Sequence, residues 1–269
     1  MAYTLFLLAR GQPQDNFGAQ KNIQFFSGAN QSEFLNTTIN YVSGNQINSY
    51  DKNDNMSLEQ KEKKLKEIYD WMKPSNPSQN YNQYLEMCTM AKTGEWFINS
   101  PKYKAWKETP SSMMWLQGEM GCGKSVLVST VIKDLEDFKK PDNAIAYYYF
   151  DFRDASKQGF KDLIVSLIIQ LSLTPHLLGE AYEILKQLYD KHKLGTNEAS
   201  IITLRSTLMD LLSLSLSSST QIVIDALDEM EGKAFQSFME LMSVLDQKKF
   251  QHLHVLVTSR PQLPIASFV

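Results

Sequence analysis

The densest chemistry in the sequence lies in Gly118-Glu119-Met120-Gly121-Cys122-Gly123-Lys124-Ser125. The run fits G-x-x-x-x-G-K-[ST], the pattern of a phosphate-cradling P-loop. Glycines at 118, 121 and 123 let successive backbone N–H groups turn inward onto phosphate oxygens. The Lys124 ammonium reaches β- and γ-phosphates, and the Ser125 hydroxyl suits a Mg²⁺ ion. A helix starting near Ser125 and Val126 points its positive end at the same anion. Cys122 fills a variable position, and its small side chain is expected to face away. Gly118, Glu119, Met120, Gly121, Cys122, Gly123, Lys124, Ser125 and Val126 are therefore the candidate nucleotide-binding residues, with ATP, or GTP, as ligand.

Two later segments could complete such a site. In IVIDALDEM an apolar strand from Gln221 ends at Asp225. A carboxylate at the C-terminal end of a central strand can hold Mg²⁺ from the side opposite Ser125. Asp228 and Glu229 follow within one turn, and either is a candidate to orient or deprotonate an attacking water. An acidic cluster after a strand also serves as a helix start with favourable dipole charges, so the choice between the two stays open. In HVLVTSRP the strand Val255–Val257 delivers Thr258, Ser259 and Arg260 to its C-terminal end, where ligands bind in open α/β sheets. There Arg260 is placed to meet a γ-phosphate.

These residues need a particular frame. MMWL reads as a strand before the loop, and SVLVSTVIKDLEDF as a helix after it. Strand and helix patterns then alternate: AIAYYYFDF, FKDLIVSLIIQLSL, HLLGEAYEILKQLYDK, SIITLRSTLMDLLSLSL, QIVID, KAFQSFMELMSVLD and HVLVTS. Alternation of this kind predicts a parallel sheet covered by helices on both faces, a three-layer α/β fold. FKDLIVSLIIQLSL is apolar nearly all round and is expected to be buried. The core is assigned to residues 109–269. A helical lead-in occupies 58–108, opened by SLEQKEKKLKEIYDWM and broken at PSNPSQNYN. Residues 1–57 are rich in Asn, Gln, Ser and Gly and are expected to be disordered or weakly β-structured. The first ten, MAYTLFLLAR, form a short strand or a frayed start, lacking the charge and cleavage site of a signal peptide.

Composition narrows the classes further. The 269 residues carry 27 basic and 30 acidic side chains, a net charge of −3, which gives no basic excess for nucleic acid. Cys88 and Cys122 form no CxxC pair, so a reducing, cytoplasmic setting fits best. No run of about 18 apolar residues could span a membrane. No GxSxG or HExxH string is present. His252 and His254 would share a strand but have no visible further ligand. Tyr147 to Phe150 are expected to pack rather than stack on bases. Arg153 and Arg205 are expected to be solvated or salt-bridged.

Taken together, the three motifs resemble those of NACHT-type NTPases of the STAND class, the switch modules of NOD-like receptors. GEMGCGKS looks like their Walker A, IVIDALDEM like their extended Walker B and VLVTSRP like their sensor 1. A closer resemblance, over about Leu58 to Pro261, is to the nephrocystin-3-like N-terminal domain of fungal NLR-like proteins. It is carried by PSNPSQNYNQYLEMC, TGEWFINSPKYKAWK, MMWLQGEMGCGKS and YYYFDFRDASKQ, in that order. The segment FFSGANQSEFLNTTINYVSGNQINS is similar to leaders that precede this domain in mushroom-type fungi. The resemblance implies that Asp225 holds Mg²⁺, that Asp228 is the catalytic acid residue and that Arg260 senses the γ-phosphate. Such proteins continue with another core strand, a helical domain, a winged helix and repeats. This sequence stops at Val269, so a C-terminally truncated core is expected. The functions that follow are a nucleotide switch with slow hydrolysis and NLR-like self-association, or a non-hydrolysing adaptor. A small-acceptor kinase fits less well, since beyond the P-loop the arginines are Arg153, Arg205 and Arg260.

Overall fold

The computed structural model describes residues 4–8 and 58–261, apart from 92–93, 139, 141, 175–176, 193, 215–218 and 249. Five strands form one sheet: β1 (Thr4–Leu8), β2 (Ser112–Gln117), β3 (Ala144–Tyr149), β4 (Thr220–Asp225) and β5 (Leu253–Ser259), in the order β1-β2-β5-β4-β3. The last four run parallel. β1 joins β2 antiparallel, with Thr4 opposite Gln117 and Leu8 opposite Met113. A wholly parallel sheet was the expectation, and this edge departs from it. A connection of about a hundred residues can return a strand in either direction, and an antiparallel edge on a parallel sheet is a common arrangement. The Asn-rich stretch 9–57 lies outside the described residues, so the expectation for it does too.

Why these strands sit in the middle follows from their side chains. β4 and β5 are buried at every position. A strand covered on both faces needs an unbroken apolar run, which IVI and VLV provide. Alternate residues part to opposite faces. Ile222, Ile224, Val255 and Val257 pack with the helices α6 (Phe160–Ser172), α7 (Leu178–Lys191), α8 (Ile201–Leu214) and α9 (Gly232–Lys248). Val223 and Leu256 pack on the other face, against Leu127, Val128, Val131 and Ile132 of α5 (Lys124–Asp137). Helix, sheet and helix make three layers. As its composition demands, α6 is buried round most of its circumference.

The lead-in folds as four helices: α1 (Leu58–Met72), α2 (Ser78–Ala91), α3 (Glu95–Ile98) and α4 (Pro101–Glu108). They contribute to both core layers. Ile68 of α1 joins the α6–α9 side, whereas Tyr81, Phe97, Tyr103 and Trp106 join the α5 side. No helix among the described residues is long and apolar enough to cross a membrane.

The N-terminal edge of the parallel strands is sealed by a neutral network. Trp106 Nε1 donates to the Val255 carbonyl at 3.0 Å. Ser112 Oγ donates to the Trp106 carbonyl at 2.6 Å and lies 2.8 Å from His254 Nδ1. Burial lowers the His254 pKa below its ordinary 6.5, against a hydrogen bond to Trp106 that raises it. The pair His252 and His254 therefore gains no metal-site character: His254 is committed to this network. Nearby, the Thr220 hydroxyl is buried with no hydrogen-bond partner.

Candidate functional site

The opposite edge gathers what the sequence singles out. β2 ends at Gln117, and Gly118 follows it, its N–H donating to the Ser259 carbonyl at 3.2 Å. The loop then curls through positive φ at Gly121 (74°) and Gly123 (93°), a region that costs side-chain-bearing residues energy. Gly123 is the N-cap of α5, so Lys124, Ser125 and Val126 form its first turn. Glu119 and Met120 are exposed at the loop tip, Met120 at 76%. Lys124 Nζ folds over the loop, donating to the carbonyls of Gly118 at 2.7 Å and Glu119 at 3.0 Å. The Cys122 thiol lies 3.9 Å from that ammonium rather than facing away, because the two positive-φ glycines turn it toward the lysine.

Asp225 closes β4 at 2% exposure, next to the P-loop. It accepts from the Thr258 hydroxyl, with Ser125 and Lys124 beside it. Burial raises its pKa, and Asp228 adds to the rise; the two hydroxyls and Lys124 oppose it. Ala226, directly after it, adopts a left-handed conformation at φ 56°, strained by about 1–2 kcal/mol for a residue with a Cβ. The Ala226 N–H donates to Thr258 Oγ1 at 3.0 Å, which holds that turn in place. The turn sends the chain into one 3-10 turn, Leu227–Glu229, that presents Asp228 and Glu229 at the same edge.

These two carboxylates meet Arg260. Asp228 Oδ1 accepts the Arg260 backbone N–H at 2.9 Å, and Asp228 Oδ2 pairs with its Nε at 2.8 Å. Glu229 Oε1 is 3.9 Å from Arg260 Nη2, while its other oxygen accepts the Phe152 N–H at 3.0 Å. Burial raises the Glu229 pKa, the Phe152 N–H lowers it, and Asp228, Asp151 and Asp225 raise it again. Every site residue read from the sequence thus reaches one edge. The surprise is the pairing: Asp228 and Arg260 occupy each other.

Two further contributors escaped the sequence reading. Asp151, just past β3, binds Arg153 through both oxygens, at 2.9 and 2.8 Å. The Arg153 hydrogen bond holds the Asp151 carboxyl down at about 2. The signal was present: YYYFD ends an apolar strand in an acid, as IVID does. Tyr84 of α2 stands close to Ser125, with Asp225, Arg153 and Asp151 also near it. Burial is the main cause that raises its phenol pKa. Arg205, at the protein surface, pairs with Glu240 at 3.3 Å instead. Tyr147 to Phe150 pack: Tyr148 stands edge-on to Phe150 at 4.9 Å, and Tyr147 lies 5.2 Å from Tyr81.

The donor set suits a hard divalent cation. Ser125 and Asp225 offer a hydroxyl and a carboxylate oxygen side by side, and Mg²⁺ is typically held by one or two carboxylates, with phosphate and water completing its shell. Among the described residues no group of three or more His, Cys, Asp or Glu forms a self-sufficient metal cage.

Comparison with protein families matches residues 92–260, more than half of the chain, to the model described as Nephrocystin 3, N-terminal. The match takes in α3 and α4 of the lead-in and runs through Arg260. No curated protein and no solved structure matches the chain.

Proposed function

The chain belongs to the nephrocystin 3, N-terminal family, and from that we propose that it binds ATP, with GTP as the lesser ligand, together with Mg²⁺, as a NACHT-type switch domain. The observation that carries this is that the glycine-rich loop between β2 and α5, with Lys124 and Ser125 at its end, stands beside the buried Asp225 that closes β4. Gly118 to Gly123 would wrap the phosphates with backbone N–H groups, and the first turn of α5 would aim its dipole at them. Lys124 would exchange its loop carbonyls for phosphate oxygens, a stronger charge-assisted pairing. Ser125 and Asp225 would hold Mg²⁺, whose charge neutralises the phosphates and offsets the cost of burying Asp225. A γ-phosphate bound at this edge would compete with Asp228 for the Arg260 guanidinium. That competition gives a switch: a triphosphate draws Arg260 away and leaves Asp228 to face the site. A cytoplasmic setting and self-association suit such a device.

The same contact supports a second reading. Arg260 engages both Asp228 oxygens, so the carboxylate is turned to the arginine rather than to a water while that pair stands. A nucleotide-bound adaptor without turnover would keep it standing.

Calorimetric titration with ATP·Mg²⁺ tests the binding claim. Lys124→Ala removes a charged contact of about 1.5–3 kcal/mol, a loss of roughly ten- to hundredfold in affinity. Undiminished binding by the variant would sink the proposal.

A further inference from the structure

We propose that the segment after β3 holds Glu229 off Arg260, and that Asn80 of α2, with Lys157, is a positioning residue for that segment. α2, outside the stretch matched to the family, thereby sets how readily Arg260 changes partner. The inference deepens the reading just given and rests on a γ-phosphate drawing Arg260 from Asp228. Its basis is an unbroken run of contacts from α2 to Arg260. The run starts at Lys157, only 5% exposed, where a charged side chain stays only if it is paired. Lys157 Nζ donates to Asn80 Oδ1 at 2.6 Å and lies 3.6 Å from Asp154 Oδ2. An ammonium can only donate, so the Asn80 carbonyl oxygen faces Lys157 and the amide nitrogen faces the other way. There it reaches Asp151 Oδ2 at 3.5 Å, so one buried amide touches both ends of the segment 151–157.

Between those ends Phe152 is held through both of its backbone groups. Gln158 Nε2 donates to the Phe152 carbonyl at 2.7 Å, and the Gln158 carbonyl accepts the Glu231 N–H at 3.1 Å. The Phe152 N–H donates to Glu229 Oε2 at 3.0 Å. That bond fixes the Glu229 carboxylate. Its second oxygen stands 3.9 Å from Arg260 Nη2, beyond hydrogen-bond length, whereas Asp228 Oδ2 meets Arg260 Nε at 2.8 Å. Phe152 and Arg260 thus draw on one carboxylate, and the backbone N–H has the closer hold. Released from Phe152, Glu229 can close the remaining gap and give Arg260 a second charged acceptor. A γ-phosphate would then have two carboxylates to displace instead of one.

Affinities for ATP and ADP are measured by calorimetry in Mg²⁺ for wild type, Asn80→Ala, Gln158→Ala, Glu229→Gln and Arg260→Gln. Glu229→Gln is also combined with Asn80→Ala and with Gln158→Ala, and the unfolding midpoint of each protein is recorded. Gln158→Ala loosens Phe152 without touching a buried charge, so it carries the test should Asn80→Ala fail to fold. Both loosening variants should lower the ATP-over-ADP affinity ratio about three- to tenfold, the worth of one hydrogen bond, while ADP affinity holds. Adding Glu229→Gln, which removes the charge that captures Arg260, should return each ratio to that of Glu229→Gln alone. Packing by itself would not give that rescue. A ratio unchanged in both loosening variants overturns the proposal, as does a lowered ratio that Glu229→Gln leaves low. Equal losses for ATP and ADP, with a midpoint lowered by more than about 5 °C, also overturn it, since they mark packing only. A wild-type ratio in Arg260→Gln instead overturns the reading of Arg260 beneath it.

Discussion

The two edges of the parallel strands both bury polar side chains, but they do so in opposite ways. At the N-terminal edge Trp106, Ser112 and His254 are neutral, and their hydrogen bonds close on one another and on two backbone carbonyls. At the C-terminal edge Lys124, Arg153 and Arg260 face Asp151, Asp225, Asp228 and Glu229, and the pairs are partly open to solvent. A neutral closed network has nothing to gain from a ligand. Charged groups that neutralise each other locally can exchange partners when a more highly charged species arrives. On the proposed function, stability and recognition would use the same sheet but separate ends of it, divided by charge rather than burial.

The strongest way to break this comparison is at the neutral edge. Trp106→Ala empties a fully buried site and drops the bond to Val255, a loss of about 3–5 kcal/mol in denaturant unfolding. The folded fraction should bind ATP·Mg²⁺ with wild-type affinity. A selective loss of affinity at full stability would mean that the two ends are not separate.

At the charged edge the outcome should invert. If Asp228 orients water once Arg260 is drawn away, Asp228→Asn lowers kcat about a hundredfold while binding is kept. Glu229→Gln is the companion measurement, because Glu229 is engaged by Phe152 rather than by Arg260 alone. Wild-type turnover in Asp228→Asn moves the catalytic assignment to Glu229. No turnover in any version favours the adaptor.

The smallest effect concerns pH. The folded His254 has a pKa below 6.5, so below that value the unfolded chain takes up a proton more readily than the folded one. Stability contributed by neutral His254 is full above about pH 6.5 and is lost as the pH falls beneath it, at up to about 1.4 kcal/mol per unit. Thermal unfolding of wild type against His254→Gln between pH 7.5 and roughly pH 5 should show the slope in wild type only. An identical slope in both would assign acid sensitivity to the charged edge instead.

Much of this was legible before any coordinates. The shape of the loop between β2 and α5 was, because a chain that turns through left-handed positions at 121 and 123 needs glycine there whatever surrounds it. Asp225 and Arg260 were, because each ends an apolar run, and the ends of parallel strands meet at one edge. Alternating patterns sufficed for the three layers. Tyr84 was not legible: its place beside Ser125 depends on how α2 packs against α5, and no local pattern encodes that. Neither was the direction of β1, since TLFLL suits either pairing with β2. The mutual capture of Asp228 and Arg260 also escaped, because the two were read as separate tools and only the turn at Ala226 shows that they touch.

The order β1-β2-β5-β4-β3 puts the last of the described strands at the centre. While the chain emerges during synthesis, β2 can pair with β1 and β4 with β3, as two separate ribbons. Only when residues 253–259 arrive can β5 slide between them and bring Lys124 beside Asp225. Closing contacts over that separation is slow, since ordering the intervening chain comes before any reward. A nucleotide would find no complete phosphate pocket on either ribbon. It could not guide early folding; it could only trap the finished sheet and lengthen its lifetime by mass action.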